Sequence, residues 1–317
     1  MSHFFNSLTH DEVLNACEHL TGLKLAAVCL MRNSYVNRVY EIEEKDSEVR
    51  WIVKFYRPGR WTKEAILDEH SFLFRLEKFE VAVIPPLVFL GQSVLEYEGC
   101  YVAFFLKKGG RAIDEFNDDQ WVNAGRLLAR IHLAGEALTS SHRTVWRPSV
   151  ATQTHLDTLI QTSAFPELLT HALKEGMEAF IQQTDPQFEG QSLTSIHGDC
   201  HLGNFIYRPQ EGLCLVDFDD CVRGPVIQDL WMLLPDEVDH CGYQIELFTE
   251  GYETFRPFPS QSLSLISSLK TMRQIHFAAW CALQKNEPHF QHHFPNWGTE
   301  GYWKELLRAT KSAYVNV

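Results

Sequence analysis

Residues 197–220, HGDCHLGNFIYRPQEGLCLVDFDD, constrain this chain more than any other stretch. Two short strand-like runs, NFIY and LCLVDF, flank the breaker RPQEG, and two chemistries compete for the polar residues around them. His197, Cys200 and His201 carry the donor atoms of a transition-metal site. Asp199, Asn204 and Asp217 carry carboxylate and amide oxygens. If the runs pair antiparallel with Phe205 opposite Val216, Asn204 comes opposite Asp217, with Cβ atoms about 5 Å apart. Asp217 also lies in the apolar run LVDF, where a buried carboxylate needs a partner.

The metal reading is the weaker one. Zinc sites draw pairs of ligands at turn-compatible spacing, whereas Cys200 and His201 are adjacent and no second cluster completes four ligands. His289, His292 and His293 could be recruited, but PHFQHHFPNW reads as an aromatic surface or packing segment. The oxygen set is more coherent. His197-x-Asp199-x-x-x-x-Asn204 matches the catalytic-loop pattern H-x-D-x-x-x-x-N of protein kinases, and Asp217-Phe218 opens an element like D-F-G. Phosphoryl transfer needs a carboxylate to orient an acceptor hydroxyl and take its proton, and oxygen ligands for Mg²⁺. Asp199 suits the first task, Asn204 and Asp217 the second. His197 reads as loop support, and Cys200 and His201 as packing or loop-shaping positions.

The rest of the chain has to supply a phosphate-holding lysine. YVNRVYEIE and VRWIVKFY read as a hairpin across EKDSE, and VLEYEGCYVAFFL as another with its turn at Glu98-Gly99. Lys54 is a lone charge inside WIVKFY. The following stretch, WTKEAILDEHSFLFRLEKF, is a helix with Thr62 as N-cap. Ala65, Phe72, Leu76 and Phe79 make its apolar stripe, and Glu69 projects into the middle of it, whereas Glu64 and Asp68 lie to the side. Glu69 is therefore the expected ion-pair partner of Lys54. The loop RNSYVNRVY has no glycine, yet Asn33 and Ser34 can form a turn that offers N–H groups to phosphate.

KKGGR, residues 107–111, marks a boundary, giving a lobe over 1–106, a hinge over 107–112 and a second lobe over 113–317. Beyond the hinge the pattern is helical. Trp121, Ala124, Leu128 and Ile131 share one face of DDQWVNAGRLLARIHLAG, and LKTMRQIHFAAWCAL behaves similarly. The expected fold class is α+β, a small β-rich lobe and a larger, mainly helical one.

A net charge of −13 disfavours general nucleic-acid binding, which relies on clustered cations; a local group, Arg57, Arg60 and Lys63, reads as a solvated loop. The 8 cysteines form no C-x-x-C pair and suggest no disulfide framework. The start, MSHFFNSLTHDEVL, lacks a signal-peptide pattern. Apolar runs such as LKLAAVCLM are about half the length needed to span a bilayer. The expectation is a cytoplasmic protein with reduced thiols.

HGDCHLGN, the D-F-D element and GPVIQDLW after it resemble the aminoglycoside/choline phosphotransferase-like kinases, a branch of the two-lobed protein-kinase-like fold. NSYVNRVY, VKFYRPGRW and DLWMLL are similar, more narrowly, to a bacterial group of stress-response kinases with a short glycine-free loop. The resemblance runs from about residue 30 to the C-terminal helices. It implies ATP and Mg²⁺ as cofactors, Asp199 and Asp217 as the catalytic pair, and Asn204 and Asp217 as metal ligands. It further implies that Ser34 lies against the ATP phosphates, that Glu69 holds Lys54, and that Asp229 braces the catalytic loop. The adenine would sit near Phe105–Lys107. Members of the narrower group are regarded as cytoplasmic, monomeric serine/threonine protein kinases that autophosphorylate, so the implied acceptor is a protein hydroxyl, its own included. Two alternatives stay open: a small-molecule kinase acting on homoserine, choline or an aminoglycoside, and a catalytically weak nucleotide-binding regulator. Asp219, Asp220 and the Trp-rich C-terminal segment could line a pocket for a cationic acceptor.

Overall fold

The computed structural model describes residues 4–5, 8–138 and 140–315. Part of the stretch MSHFFNSLTHDEVL, on which the leader expectation rests, lies outside them. The helices are α1 (His10–Thr21), α2 (Lys63–Lys78), α3 (Asp118–Gly135), α4 (Gln153–Gln161), α5 (Thr170–Thr184), α6 (Ile227–Trp231), α7 (Gly242–Tyr252), α8 (Ile266–Gln284), α9 (Phe290–His293) and α10 (Glu300–Val315). The strands are β1 (Leu25–Met31), β2 (Arg38–Glu44), β3 (Arg50–Phe55), β4 (Leu95–Tyr97), β5 (Cys100–Leu106), β6 (Leu193–Ile196), β7 (Phe205–Arg208), β8 (Gly212–Leu215) and β9 (Val222–Pro225). They form two compact units, neither of which is continuous in sequence. One comprises Met1–Arg143, Asp199–Cys221 and Gly242–Pro257; the other comprises Thr144–Gly198, Val222–Cys241 and Phe258–Val317.

The first unit is built on an antiparallel sheet of order β1-β2-β3-β5-β4. Both expected hairpins are present, and Glu98 and Gly99 turn the second with φ of 48° and 75°. LKLAAVCLM, considered above only for its length, supplies the edge strand β1. Alternation decides the two faces. Tyr40, Ile42, Trp51, Val53, Phe55 and Phe104 pack into a core that α1 covers with Val13, Ala16 and Cys17. Val39 and Ala103 lie opposite Lys54, and Glu41 and Phe105 opposite Ile52, so these residues share the other face. That face meets α2, where Ile66 joins Tyr56, Val94 and Ala103.

Thr62 caps α2 by accepting from the Ala65 N–H, as its position before the apolar stripe requires. Ala65, Glu69, Phe72 and Leu76 are buried, whereas Phe79 ends the helix and is exposed. The expected face of α3 is buried throughout. This helix and α7 touch backbone to backbone. A Cβ on Gly125 would lie 2.1 Å from the Phe248 carbonyl oxygen, and one on Gly251 would lie 1.9 Å from that of Val122. Only glycine fits both positions.

In the second unit β6 and β9 pair antiparallel, from Leu193 opposite Pro225 to Ile196 opposite Val222. Neither strand stands out in the sequence, because each has only four residues. The amphipathic helix expected over LKTMRQIHFAAWCAL is α8. No helix among the described residues is long and apolar enough to cross a membrane.

Candidate active site

The segment HGDCHLGN begins where β6 ends, and its first two residues are fixed within the second unit. Asp229, in the first turn of α6 and fully buried, accepts the His197 N–H on Oδ2 at 2.9 Å and the Gly198 N–H on Oδ1 at 2.8 Å. Gln228 donates to the Gly198 carbonyl at 3.2 Å. Gly198 adopts φ 83°, a left-handed turn that a side chain would strain.

The residues that follow belong to the first unit. Asp199 is half-buried, with His201 Nε2 at 3.7 Å from its Oδ2. Asn204 donates its side-chain amide to the Asp199 carbonyl at 2.9 Å. That bond occupies the nitrogen and leaves Oδ1 as an oxygen donor.

The strands β7 and β8 pair as expected, but one residue out of the expected register. Phe205 lies opposite Leu215 rather than Val216. Asn204 therefore meets Val216, whose N–H donates to its carbonyl at 3.0 Å, and Asp217 follows one residue later. The shift arises because Asp217 is not in the strand. Its backbone is left-handed, φ 62° and ψ 64°, and turns the chain into a short helical turn at Phe218–Asp220. A non-glycine residue held there costs about 1–3 kcal/mol, a strain that tends to mark functional positions. Phe218 anchors the turn edge-on against Phe72 of α2, with ring centroids 5.6 Å apart. The expectation of a buried Asp217 is overturned: its side chain is 55% exposed.

The buried carboxylate is Asp219, two residues on, and it is a hub. Its Oδ2 accepts from Asn37 Nδ2 and from Arg60 Nη1, both at 2.7 Å, and its Oδ1 lies 3.4 Å from Lys54 Nζ. Lys54 also donates to Asp217 Oδ1 at 3.0 Å. Burial by itself would pull the Lys54 ammonium down, but Asp217 and Asp219 outweigh it and hold it well above the usual lysine range. Burial likewise favours the protonated form of Asp219, and Lys54 with Arg60 reverses this, so its carboxyl is held low. Arg60 spans both acids, donating to Asp220 Oδ1 at 2.6 Å.

The expected ion pair between Lys54 and Glu69 is absent among the described residues. Glu69 is buried where the helix stripe put it, but its Oε2 accepts from Arg143 Nη2 at 3.1 Å and its Oε1 lies 3.5 Å from Tyr56 Oη. Arg143 also donates from Nε to the Ala65 carbonyl at 2.8 Å and from Nη1 to the Asp219 carbonyl at 2.6 Å. Its guanidinium stacks 4.4 Å from the Trp61 ring. Glu69 is raised to about 7, by burial first, with Lys54 and Arg143 opposing the rise. Its field still favours the Lys54 ammonium without contact.

The glycine-free loop is held by side chains. Arg57 donates from Nε to the Val36 carbonyl at 2.9 Å and from Nη2 to the Tyr35 carbonyl at 3.2 Å. Asn37 accepts the Arg57 N–H at 3.1 Å while donating to Asp219, so the loop is tied to the 217–219 turn. Ser34 lies half-buried within it. On the same sheet face, buried Glu41 receives Arg50 at 2.8 Å and Lys107 at 2.5 Å, fastening the end of β5 to β2.

Asn37, Arg60, Arg143 and the hub role of Asp219 were not foreseen. YRPGRW held a signal for Arg60, since a cation in a loop beside the lysine strand can reach its acids. Arg143 held none: it lies in an irregular segment far in sequence from Glu69 and Asp219. Among the described residues no group of three or more His, Cys, Asp or Glu suited to a metal is gathered.

Residues 29–258 match the model of the phosphotransferase enzyme family. Stress response kinase A of Escherichia coli (strain K12) is 36% identical over 308 residues, covering 94% of this chain and 90% of that protein. The serine/threonine protein kinase RdoA of Salmonella typhimurium is 36% identical over 303 residues, covering 93% of this chain and 89% of its own. Among solved structures, amicoumacin kinase hAmiN, in complex with AMP-PNP, Ca²⁺ and Ami, superposes with a TM-score of 0.76 at 18% identity, covering 98% of this chain and 94% of that one. Choline kinase LicA from Streptococcus pneumoniae gives a TM-score of 0.67 at 15% identity, covering 98% and 100%. The chain thus has the protein-kinase-like fold and belongs to the phosphotransferase enzyme family, in the group of the stress response kinase A proteins.

Proposed function

We propose that this kinase transfers the γ-phosphate of ATP, taken as its Mg²⁺ complex, to a serine or threonine hydroxyl of a protein, its own chain included. The observation that carries the acceptor reading is the pairing of Asp219 and Asp220 with Arg60. A site for choline or an amino sugar needs unpaired carboxylates or an open aromatic cage. Here both acids are already matched by a fixed guanidinium, and Asp219 by Lys54 as well. A neutral hydroxyl asks for no such counter-charge. A relative named as a serine/threonine protein kinase supports the same choice.

Asp199 acts as the proton acceptor: half-buried, on a chain whose preceding residues are pinned, its carboxylate can orient a hydroxyl and take its proton. Asn204 Oδ1 and the exposed Asp217 carboxylate are hard oxygen donors and suit Mg²⁺, which prefers such ligands to sulfur or imidazole. When bound, the ion supplies charge neutralisation on the β- and γ-phosphates. Lys54 holds phosphate oxygens from β3, with Glu69 favouring its charged form from α2. The Asn33–Asn37 backbone and Ser34 cover the phosphates, and the adenine lies against Phe105–Lys107. Residues 1–106 serve as the nucleotide lobe, 107–112 as the hinge and 113–317 as the acceptor lobe. The protein works as a monomer in the cytoplasm, where its buried cysteines stay reduced.

The test is incubation with γ-labelled ATP and Mg²⁺, comparing label in protein bands with label in a panel of small alcohols and amines. Label in protein is the expected result. Label confined to a small molecule would overturn the acceptor, and none anywhere would overturn turnover itself.

A further inference from the structure

We infer that Asp219, and not Glu69, is the positioning residue that holds Lys54 for the nucleotide phosphates. The inference rests on the kinase reading above and deepens it. Two carboxylates contact the Lys54 ammonium, and they differ in kind. Asp217 is exposed and is the proposed metal ligand, so in the loaded site its carboxylate is committed elsewhere. Asp219 is buried, with a side chain 6% exposed, and is anchored by Asn37 and Arg60 at 2.7 Å each. It is the carboxylate that stays in reach of Lys54 when Asp217 turns away.

Glu69 is not free to take this part. Arg143 spends its three kinds of donor nitrogen on Ala65, Asp219 and Glu69, and its guanidinium stacks on Trp61. Moving Glu69 to Lys54 would leave a guanidinium with a side chain 1% exposed short of its counter-ion. A charge buried without its partner is strongly disfavoured. Arg143 therefore does for Glu69 what Lys54 was expected to do, and in doing so it ties α2 to the 217–219 turn.

A double-mutant cycle on ATP–Mg²⁺ affinity separates this from a structural role, because it isolates the term shared with Lys54. Dissociation constants are measured by calorimetry for the parental protein, Lys54→Met, Asp219→Asn, Glu69→Gln, and both doubles with Lys54→Met. Asp219→Asn is expected to weaken binding about 10-fold or more, in line with a charge-assisted contact, and to cost less than about threefold once Lys54 is methionine. Glu69→Gln is expected to have the smaller effect, of similar size in both backgrounds. A Lys54-dependent loss in Glu69→Gln larger than that in Asp219→Asn overturns the inference. So does an Asp219→Asn loss that persists undiminished beside Lys54→Met. Circular dichroism checks folding; if Asp219→Asn does not fold, the cycle of Lys54 with Glu69 decides alone, any strong coupling there overturning the proposal. A parental protein that binds no ATP–Mg²⁺ would remove the kinase reading instead.

Discussion

Asp219 and Asp229 are both buried carboxylates, yet they are satisfied in opposite ways. Asp229, in the second unit, accepts two consecutive backbone N–H groups. Asp219, in the first, is surrounded by the side chains of Asn37, Lys54 and Arg60. Both arrangements offset the cost of removing a charge from water. Backbone amides cannot swing away, so Asp229 pins a loop. Side chains from separate segments can meet at one carboxylate, so Asp219 gathers the charges of Lys54 and Arg60. Two buried aspartates in one chain thus divide into a structural pin and a charge hub.

The largest effect expected is on the residue that follows the pinned pair. Asp199→Ala should lower turnover by about 10²–10⁴-fold, the range of a general base, while nucleotide binding survives. Steady-state rates together with a binding isotherm decide it, and near-parental phosphotransfer would take Asp199 out of that role. The pin itself is tested by Asp229→Asn, which replaces one of the two accepting oxygens with an amide nitrogen. Leaving a buried donor unmet costs about 1–3 kcal/mol, so the urea midpoint should fall without a change in slope. An unchanged midpoint would erase the distinction drawn above.

Acid stability probes each unit through one histidine, buried His70 in the first and half-buried His155 in the second. Burial lowers His70 of the first unit to about 3 and His155 of the second to about 4. In the unfolded chain each titrates near 6.5, so the unfolded state takes up protons first as the pH falls. Their contribution is complete above about 6.5 and is lost through the window down to 3–4. His70→Gln and His155→Gln should each flatten the fall of stability over that window in denaturant titrations. Identical slopes in parent and variants would show that the carboxylates dominate instead. The smallest effect expected is that of Cys200→Ser, a fully buried thiol outside the oxygen set. Phosphotransfer should change less than about threefold, since a thiol is not among the hard oxygen donors that Mg²⁺ prefers. One zinc per chain, lost in this variant by elemental analysis, would revive the metal cluster.

Much of the site was legible because its residues break local rules. A lysine inside an apolar strand and a glutamate inside an apolar helix stripe each require a buried partner, and both are buried as that logic demands. The partner itself was misread. Pairing them with each other was the shortest solution available to a linear reading, whereas Arg143 and Asp219 come from distant segments. The register error has a similar origin. Alternation in LCLVDF continues through Asp217 on paper, and nothing local announces that its backbone turns left-handed there.

What the sequence by itself determined is the proposed set of reacting groups and the elements that carry them: Asp199, Asn204 and Asp217 at their offsets, Lys54 on a strand, Glu69 on a capped helix. Those follow from periodicity, capping and residue chemistry, which act over a few positions. Only the tertiary structure decided which charge answers which. Ion pairing in a desolvated interior depends on distance and on every competing donor in reach, and Lys54, Arg60, Arg143, Glu69 and Asp219 meet only after three separate segments have packed. Partner choice is a property of that packing, which no stretch of the chain contains alone.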